Sequence, residues 1–264
     1  MQLKVTAVFA NAHHDVESSV FKWPRARPTA TPQVHNTGAA SGDTADPAPG
    51  PTTPEPGHVL VILGHAQGDS LCGALADAFA QGVKAQGREV RVLKLGALQF
   101  DPVLHTAYRP VQPLEPDLLA AQQSIAQAQH LVFVYPVWWG TMPALLKGFL
   151  DRVLLPGFAF RYRRSSPWWD RLLAARSARL LVTMDTPPWY YRWVWRQPAH
   201  QQMRRTVLGF CGVRPVRISE FGPVRLATAQ QRQAWTDAAR KLGEMDAQRL
   251  PLPMPENVGC GLLC

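Results

Sequence analysis

The chain has 264 residues, a formal net charge of +9, and 46% hydrophobic against 18% charged residues, which suits one α/β domain of about two hundred residues with extensions. Its four cysteines are too few and too scattered for a disulfide-stabilised secreted scaffold. No segment reaches the length of a transmembrane helix, so we expect a cytoplasmic protein without an integral membrane segment.

The first 56 residues are rich in Pro, Thr, Ala, Gly and Asp and contain few large apolar side chains. Because such a composition buries little apolar surface, residues 1–56 are predicted to form a disordered extension. The opening MQLKVTAVFA leaves open a processed leader or a misassigned start codon. We expect a folded domain over residues 57–249 and a flexible tail over residues 250–264, in which Cys260 and Cys264 receive no role.

From residue 58 onward, apolar segments of strand length alternate with segments of helical periodicity. In chain order the predicted elements are strand 58–64, helix 70–85, strand 89–95, helix 114–129, strand 131–134, helix from 143, strand 179–184, helix 198–210, strand 213–221 and helix 227–249. This order predicts an α/β fold with a doubly wound, five-stranded parallel sheet and helices on both faces. Ligands bind beyond the carboxyl ends of such strands, so the loops after Leu63, Val134 and Met184 form the candidate site. Cys72 and Cys211 fall in predicted helices and are expected to be reduced, buried thiols.

The first candidate loop, GHAQGDSLC, lies between the first strand and the first helix. Backbone N–H groups at a helix start, here those of Leu71 and Cys72, carry partial positive charge and favour phosphate oxygens. The His65 imidazole and the Ser70 hydroxyl are further candidate phosphate ligands, although Asp69 or Ser70 would equally serve as the helix N-cap. Neither a GxGxxG nor a Walker pattern is present, which disfavours kinases and classical dehydrogenases.

The second loop follows the uninterrupted apolar run 131–134, which is typical of a strand covered by helices on both faces. Its two adjacent tryptophans offer stacking surface for the isoalloxazine ring of a flavin, and the N–H groups of residues 139–141 would reach the ring heteroatoms. The alternative is that both tryptophans simply cap the sheet. The candidate flavin contacts in this loop are Pro136, Val137, Trp138, Trp139 and Gly140.

A helix is predicted to begin at Pro143, because proline suits the first helical position and the preceding Met142 avoids the helical region. Its apolar residues recur at helical spacing, and Lys147, Asp151 and Arg152 are expected on the wetter side. The second loop therefore opens directly onto a helix.

The third loop runs from Thr183 to Gln201 and is rich in aromatic residues and proline. Thr183, Asp185 and Thr186 follow the fourth strand and are candidate contacts for the edge of the flavin. The aromatic residues that follow would wall a flat apolar substrate. They are Trp189, Tyr190 and Tyr191.

Three side chains of the third loop are candidate proton donors to a reduced quinone oxygen, namely Tyr190, Tyr191 and His200. The alternative for the tyrosines, and for Trp193, is packing within a lid. For His200 the alternative is a position on the surface of a helix.

With these residues in hand, the chain resembles the NAD(P)H quinone oxidoreductases, a group of the flavodoxin-like superfamily that includes quinone reductases and modulator-of-drug-activity proteins. The resemblance covers about residues 58–245. Its most specific part is the stretch YPVWWGTMPALLKGFLDRVL, which resembles the flavin motif of the family. GHAQGDSL, FDPVLH and FCG at residues 210–212 resemble further family segments, among them the H-P-x-x-x-S loop.

The resemblance implies a flavodoxin-like enzyme that takes hydride from NADH or NADPH onto FAD or FMN. It implies that two electrons then pass to a quinone or a similar acceptor by ping-pong exchange at one site. His65 and Ser70 would hold the flavin phosphates, and residues 136–139 would line the isoalloxazine. Family members are commonly dimers with flavin sites at the interface, to which the basic aromatic segment 158–169 would contribute.

Two positions depart from the family pattern. The proline after the loop histidine is Ala66 here, and the family segment T-T-G-G is replaced by TMDT at residues 183–186. These changes affect the first turn, the contacts with the flavin edge and the identity of the proton donor.

The leading alternative is a non-catalytic flavoprotein, either an electron carrier or a regulatory subunit of a membrane transporter. A nucleic-acid platform at the basic cluster Arg161, Arg163 and Arg164 is disfavoured, because no recognised nucleic-acid motif accompanies it. We therefore expect no nucleic-acid partner, and no metal site is assigned.

Overall fold

The computed structural model of the protein describes residues 57–105 and 112–251. The predicted extension 1–56 lies outside the described residues. So does the tail beyond Pro251, including Cys260 and Cys264. The domain boundaries proposed from the sequence therefore stay predictions.

Seven strands and seven α-helical segments make up the described part of the chain. They are β1 (Val59–Leu63), α1 (Leu71–Ala85), β2 (Val90–Lys94), α2 (Pro116–Gln127), β3 (His130–Pro136), α3 (Ala144–Val153), β4 (Phe160–Tyr162), β5 (Trp169–Arg171), β6 (Ser177–Thr183), α4 (Pro188–Trp193), α5 (Pro198–Gln201), α6 (Gly209–Cys211), β7 (Val216–Phe221) and α7 (Ala229–Arg249). A 3₁₀ turn spans Leu95–Ala97, and a π-helical stretch, Gln202–Leu208, joins α5 to α6.

Five of the strands form a parallel sheet in the order β2-β1-β3-β6-β7. Counting only these strands, the order is 2-1-3-4-5, which is the doubly wound order of flavodoxin. The α/β class and the flavodoxin-like five-stranded parallel sheet predicted from the sequence are thereby confirmed. The carboxyl ends of β1, β3 and β6 lie side by side, which brings the three candidate loops to one edge.

Two hydrophobic cores lie on opposite faces of the sheet because successive side chains of each strand point to opposite faces. Helices α2 and α3 and the helical segment 198–211 cover one face, where Leu60, Phe133 and Leu180 are buried. Helices α1 and α7 cover the other, where Val61 and Val134 are buried. Cys72 and Cys211 are buried thiols, as predicted.

Glycines at the crossing of α1 and α7 allow these two helices to approach closely. A Cβ on Gly82 would lie 2.0 Å from the Arg240 carbonyl oxygen, and a Cβ on Gly243 would lie 2.2 Å from that of Phe79. No side chain fits at such distances. The close packing that results seals the face of the sheet opposite α2 and α3.

The helix after the second loop begins near Pro143, as predicted, although Pro143 itself is the N-cap of α3 and Ala144 its first helical residue. One prediction for this helix is wrong. Arg152, expected on the wetter side, is completely buried. Its guanidinium donates to both carboxylate oxygens of Glu115, at 3.2 and 2.8 Å, and to the Pro113 carbonyl oxygen at 2.7 Å. An arginine is tolerated in the interior here because its charge is paired and both of its terminal nitrogens have acceptors.

Several elements are absent from the sequence prediction. The strands β4 and β5 form a separate antiparallel hairpin, α4 interrupts the third loop, and the helical segment 198–211 contains the π-helical stretch. The last strand begins at Val216, three residues later than predicted. No helix within residues 57–105 and 112–251 is both long and apolar enough to cross a bilayer.

Candidate functional site

The three candidate loops enclose a cleft of about 300 Å³ at the carboxyl ends of β1, β3 and β6. Its lining residues are His65, Ser70, Leu71, Cys72, Pro136, Val137, Trp138, Thr183, Met184, Asp185, Val224 and Arg232. Most of the sequence-predicted flavin contacts are therefore brought together. Trp139, Gly140 and Thr186 are not among the lining residues.

The first loop is held by hydrogen bonds among its own residues. The Ser70 hydroxyl accepts from the Gly73 N–H at 3.2 Å and donates to the Gln67 carbonyl oxygen at 3.0 Å. Ser70 is thus the N-cap of α1, and Asp69, the other candidate from the sequence, is not. The Gln67 N–H donates to Nδ1 of His65 at 3.0 Å, so this imidazole is oriented within the loop.

Replacing Ser70 by Ala is expected to lower the free energy of unfolding by about 1 kcal/mol, because α1 loses its side-chain cap. Urea unfolding measures the loss, and Asp69→Ala is the matched control, with no expected change. An unchanged stability of Ser70→Ala would contradict the capping role. A separate flavin titration of the same variant would reveal any contact between the hydroxyl and phosphate.

The second loop closes in a tight turn from Trp138 to Thr141. The two central residues have left-handed backbones, with φ of 51° at Trp139 and 79° at Gly140, as in a type I′ turn. The Trp138 N–H donates to the Thr141 carbonyl oxygen at 2.9 Å, and the Thr141 N–H donates back at 3.0 Å. The Thr141 N–H is therefore occupied, contrary to the expectation that it would reach the flavin.

The two tryptophans of this turn have different surroundings. Trp138 lines the cleft, half-exposed, and contacts His65 edge-on with ring centroids 5.7 Å apart. Trp139 is fully exposed and does not line the cleft. A bulky residue with positive φ is strained, so the turn keeps its shape through neighbouring contacts.

The third loop closes the cleft from the side of β6. The Val137 N–H donates to the Thr183 carbonyl oxygen at 2.7 Å, and the Thr183 hydroxyl lies 3.3 Å from the Cys72 sulfur. Burial raises the pKa of the Cys72 thiol to about 11, so the sulfur stays protonated at neutral pH. Asp185, which also lines the cleft, accepts a hydrogen bond from the backbone N–H of Arg225 at 2.7 Å.

Tyr191 lies inside the protein, outside the lining of the cleft, and joins two parts of the site. Its hydroxyl donates to the Gly140 carbonyl oxygen at 3.2 Å and accepts from the Ala199 N–H at 3.0 Å. Burial raises the pKa of Tyr191 to about 12. These contacts connect the strained turn of the second loop to the start of α5.

Replacing Tyr191 by Phe is expected to lower the free energy of unfolding by about 1 to 3 kcal/mol, because the buried Ala199 N–H loses its acceptor. The ring packing is preserved, so the loss reports the hydroxyl alone. Thermal and urea unfolding measure it. Tyr190→Phe, on the partly exposed neighbouring ring, should leave stability unchanged, and equal losses in both variants would contradict the assignment.

His200 is buried, so its predicted alternative as a helix-surface residue is wrong. Its Nε2 lies 2.6 Å from Oε1 of Glu220, which also accepts from the Gln197 side chain at 3.0 Å. Hydrogen bonding to His200 lowers the pKa of Glu220. The ring of His200 packs edge-on against Tyr191 at 5.2 Å. Of the three candidate proton donors, only Tyr190 is more than marginally exposed.

Sequence reasoning missed three lining residues, Met184, Val224 and Arg232. Arg232 lies in the first turns of α7, after the capping box formed by Thr228 and Gln231. The T-A-Q-Q pattern at residues 228–231 signals the helix start. The sequence around Arg232 does not indicate that α7 would place its guanidinium at the start of the third loop, which lies more than forty residues earlier in the chain.

The residues of the cleft fit a flavin. The amides of Leu71 and Cys72 lie in the first turn of α1, where backbone N–H groups have no acceptor within the helix. Together with Arg232 they supply a positively charged end, which suits phosphate. Apolar side chains, those of Pro136, Val137, Trp138, Met184 and Val224, supply much of the remaining lining, as a planar ring requires. Among the described residues no cluster of His, Cys, Asp or Glu has the geometry of a metal site.

The chain is similar in sequence and in fold to known proteins. A family model described as "Flavodoxin-like fold" matches residues 57–245. NAD(P)H dehydrogenase (quinone) 1 of Cavia porcellus is 31% identical over 124 residues, which are 39% of this chain and 45% of that protein. The chain thus spans about half the length of the first curated relatives it matches.

Two further similarities extend over more of the chain. An uncharacterized NAD(P)H oxidoreductase of Haemophilus influenzae is 27% identical over 187 residues, covering 68% of this chain and 91% of that protein. The structure of the NAD(P)H:quinone oxidoreductase from Methanothermobacter marburgensis superposes with a TM-score of 0.62 at 24% identity. That superposition covers 71% of this chain and 94% of the other.

Proposed function

The chain belongs to the flavodoxin-like fold family, and on that premise we propose that it is a flavin-dependent oxidoreductase that passes two electrons from NAD(P)H to a quinone or a similar acceptor. The observation that carries the proposal is the cleft, in which a helix N-terminus lies beside an apolar wall. A bound flavin would supply hydride acceptance and two-electron release, which amino-acid side chains cannot perform. Exchange of NAD(P)H and acceptor at one site accounts for the missing dinucleotide fingerprint.

The first loop would hold the phosphate of the flavin. The amides of Leu71 and Cys72 would donate to it, with His65 at the side of the cleft. The Ser70 hydroxyl keeps the helix start in place and has one remaining lone pair but no second proton to donate. Its contribution to binding would therefore come mainly through the shape of the loop.

The second and third loops would hold the ring. Pro136, Val137 and Trp138 would form one wall and Thr183 and Asp185 the edge. The turn at Trp139 and Gly140 would act by fixing the direction in which the Trp138 side chain projects. Thr186, which follows the lining residues, would contribute at most a backbone contact.

We assign the proton-donor role to Tyr190 in preference to the other two candidates. Tyr191 and His200 are buried, and both hydrogen-bonding positions of the Tyr191 hydroxyl are used by the protein itself. Tyr190 is partly exposed and lies between Trp189 and Trp195 in edge-on aromatic contacts. Tyr191 and His200 would then act as positioning residues for the loops around the acceptor.

Replacing Arg232 by Gln is expected to weaken flavin binding by about tenfold, since hydrogen bonds to a charged group contribute about 1.5 to 3 kcal/mol. The free energy of unfolding of the apoprotein should not change, because the side chain is exposed. Titration of apoprotein with flavin measures the dissociation constant. Arg240→Gln, on an exposed position of the same helix, should bind like wild type, and equal weakening in both variants would contradict the local role of Arg232.

The direct test is the visible absorption spectrum of the purified protein, followed by anaerobic addition of NADPH or NADH. Rapid bleaching of the flavin band that a quinone reverses is the expected result. A flavin that bleaches only slowly would favour the alternative, an electron carrier or a regulatory subunit of a membrane transporter. Absence of any bound or bindable flavin would contradict both.

We further propose FAD as the cofactor and a cytoplasmic homodimer as the assembly, both from the family resemblance. The hairpin β4–β5 supports the dimer, because it exposes Tyr162 and Trp168 while Trp169 stacks on Phe210 at 4.3 Å. Chromatography of the flavin released by denaturation distinguishes FAD from FMN. Light scattering on the purified holoprotein gives the number of subunits.

A further inference from the structure

The segment 188–196, which follows β6 and contains α4, exposes the most aromatic surface of the described chain. Trp189 and Trp193 are 64% and 74% exposed. We name this segment the aromatic segment. Its exposed apolar side chains are Trp189, Tyr190, Trp193, Val194 and Trp195. Exposed apolar side chains that are contiguous mark a binding surface, whereas single ones do not.

The stretch of sequence that contains the aromatic segment is basic. Between Asp185 and Glu220 the sequence contains no acidic residue. Its arginines over the same stretch are Arg192, Arg196, Arg204, Arg205, Arg214 and Arg217. The guanidinium of Arg192 lies over the ring of Trp193, 5.5 Å from its centroid. The segment therefore combines indole rings with two exposed guanidinium groups, those of Arg192 and Arg196, which favours a negatively charged partner.

The aromatic segment is held rigidly, although it is exposed. Tyr191 anchors its middle, and the Gln197 N–H donates to the Tyr191 carbonyl oxygen at 3.0 Å. Its end has left-handed backbones at Arg196 and Gln197, with φ of 58° and 54°. Such strained residues persist only where surrounding contacts enforce them, and they concentrate at functional sites. Here the Gln197 side chain bonded to Glu220 supplies such a contact.

The arrangement of the rings disfavours single-stranded nucleic acid as the partner. Base stacking needs ring faces that are open and accessible. Trp189 with Tyr190, and Tyr190 with Trp195, instead meet edge-on at 81° and 75°, which forms a compact wedge. Tryptophan, tyrosine and arginine together are typical of side chains that lie at the level of lipid headgroups.

We infer that the aromatic segment docks the protein on an anionic lipid surface, with Trp189 and Trp193 inserted among the headgroups and Arg192 and Arg196 facing lipid phosphates. Thr183 and Asp185, which line the cleft, precede this segment directly. Docking would bring the mouth of the cleft to the lipid interface, where apolar acceptors accumulate. The inference does not depend on flavin chemistry, because it concerns only the surface.

The test is sedimentation of the purified full chain with vesicles of phosphatidylcholine alone and of phosphatidylcholine mixed with phosphatidylglycerol. We expect binding to the anionic vesicles that weakens with added salt, and little binding to the neutral ones. The double variant Trp189→Ala/Trp193→Ala and the charge variant Arg192→Gln/Arg196→Gln should each bind at least about tenfold more weakly.

Matched controls lie outside both the aromatic segment and the hairpin β4–β5, at Leu119 of α2, which is 48% exposed, and at the exposed Arg240 and Lys241 of α7. Leu119→Ala and Arg240→Gln/Lys241→Gln should bind like wild type. Absence of binding to anionic vesicles, or equal losses in the control variants, would overturn the inference. The main alternative partner of this surface is a second copy of the chain, and light scattering on every variant tests it by giving the number of subunits. If Trp189→Ala/Trp193→Ala dissociates an oligomer while vesicle binding persists, the surface is a contact between copies of this chain and the inference fails.

Discussion

Replacing Asp246 by Ala is expected to destabilise the protein by about 3 to 5 kcal/mol, because removing one partner of a buried ion pair leaves the other charge uncompensated. The Asp246 carboxylate is buried in α7 and accepts from Nε and Nη2 of Arg179, the latter at 2.8 Å. His130 Nε2 lies 3.3 Å away. These contacts join α7 to β3 and β6 at the amino edge of the sheet.

Urea unfolding of Asp246→Ala measures the loss, with Asp237→Ala on the exposed side of the same helix as control. The control should change by no more than about 0.5 kcal/mol. A loss below about 1 kcal/mol in Asp246→Ala would show that Arg179 finds another partner or reaches water.

The same carboxyl predicts how stability depends on pH. Burial by itself would raise the pKa of Asp246, but the hydrogen bonds from Arg179 and the nearby His130 outweigh it and hold the pKa well below its usual range. Folding depresses the pKa of this carboxyl, so its contribution to the free energy of unfolding is at its full value above the pKa that it has in the unfolded chain, about 4. That contribution disappears as the pH falls toward the folded value. Wild type should therefore lose stability below about pH 4 by an amount that Asp246→Ala lacks.

Replacing Gly96 by Val is expected to weaken flavin binding by about ten- to a hundredfold, with a loss of stability of about 1 to 3 kcal/mol. A Cβ on Gly96 would lie 1.9 Å from the carbonyl oxygen of Ala66 in the first loop. Because the added Cβ and the Ala66 carbonyl oxygen are both held by the backbone, no side-chain rotation relieves this contact, and the first loop must move. Its displacement would shift the amides at the start of α1 that are proposed to bind phosphate.

Flavin titration of the apoprotein measures this effect, and the adjacent exposed residue provides the control Ala97→Val. The control should keep wild-type affinity. If Gly96→Val folds and binds flavin normally, the position of the first loop is not important for binding, and the phosphate assignment to Leu71 and Cys72 would be wrong.

The sheet was predictable because its signals are local. Strands covered on both faces are continuous apolar runs, and the helices between them have regular apolar spacing, so five strands and their order along the chain follow from the sequence. Arg152 shows where local reasoning fails. Its place on the helix is compatible with an exposed face, and its burial depends on Glu115 and the Pro113 carbonyl, which lie in a different segment.

The site was predictable to the level of its loops. Sequence position after a parallel strand predicts which residues approach the cleft, and Trp138, Cys72 and Thr183 do so. It does not predict side-chain direction within a tight turn, so Trp139 could not be distinguished from Trp138. Arg232 reaches the cleft from α7, and Val224 from the loop after β7, where its N–H donates to the Met184 carbonyl oxygen at 3.1 Å; no local pattern encodes either position.

The protonated state of Cys72 has a consequence for the chemical durability of the cleft. Reduced flavins react with dioxygen to give peroxide, and peroxide oxidises thiolates much faster than thiols. Cys72 lines the cleft, yet burial keeps its sulfur in the thiol form at neutral pH. If the proposed flavin is bound there, Cys72 would therefore resist oxidation by peroxide formed at the flavin.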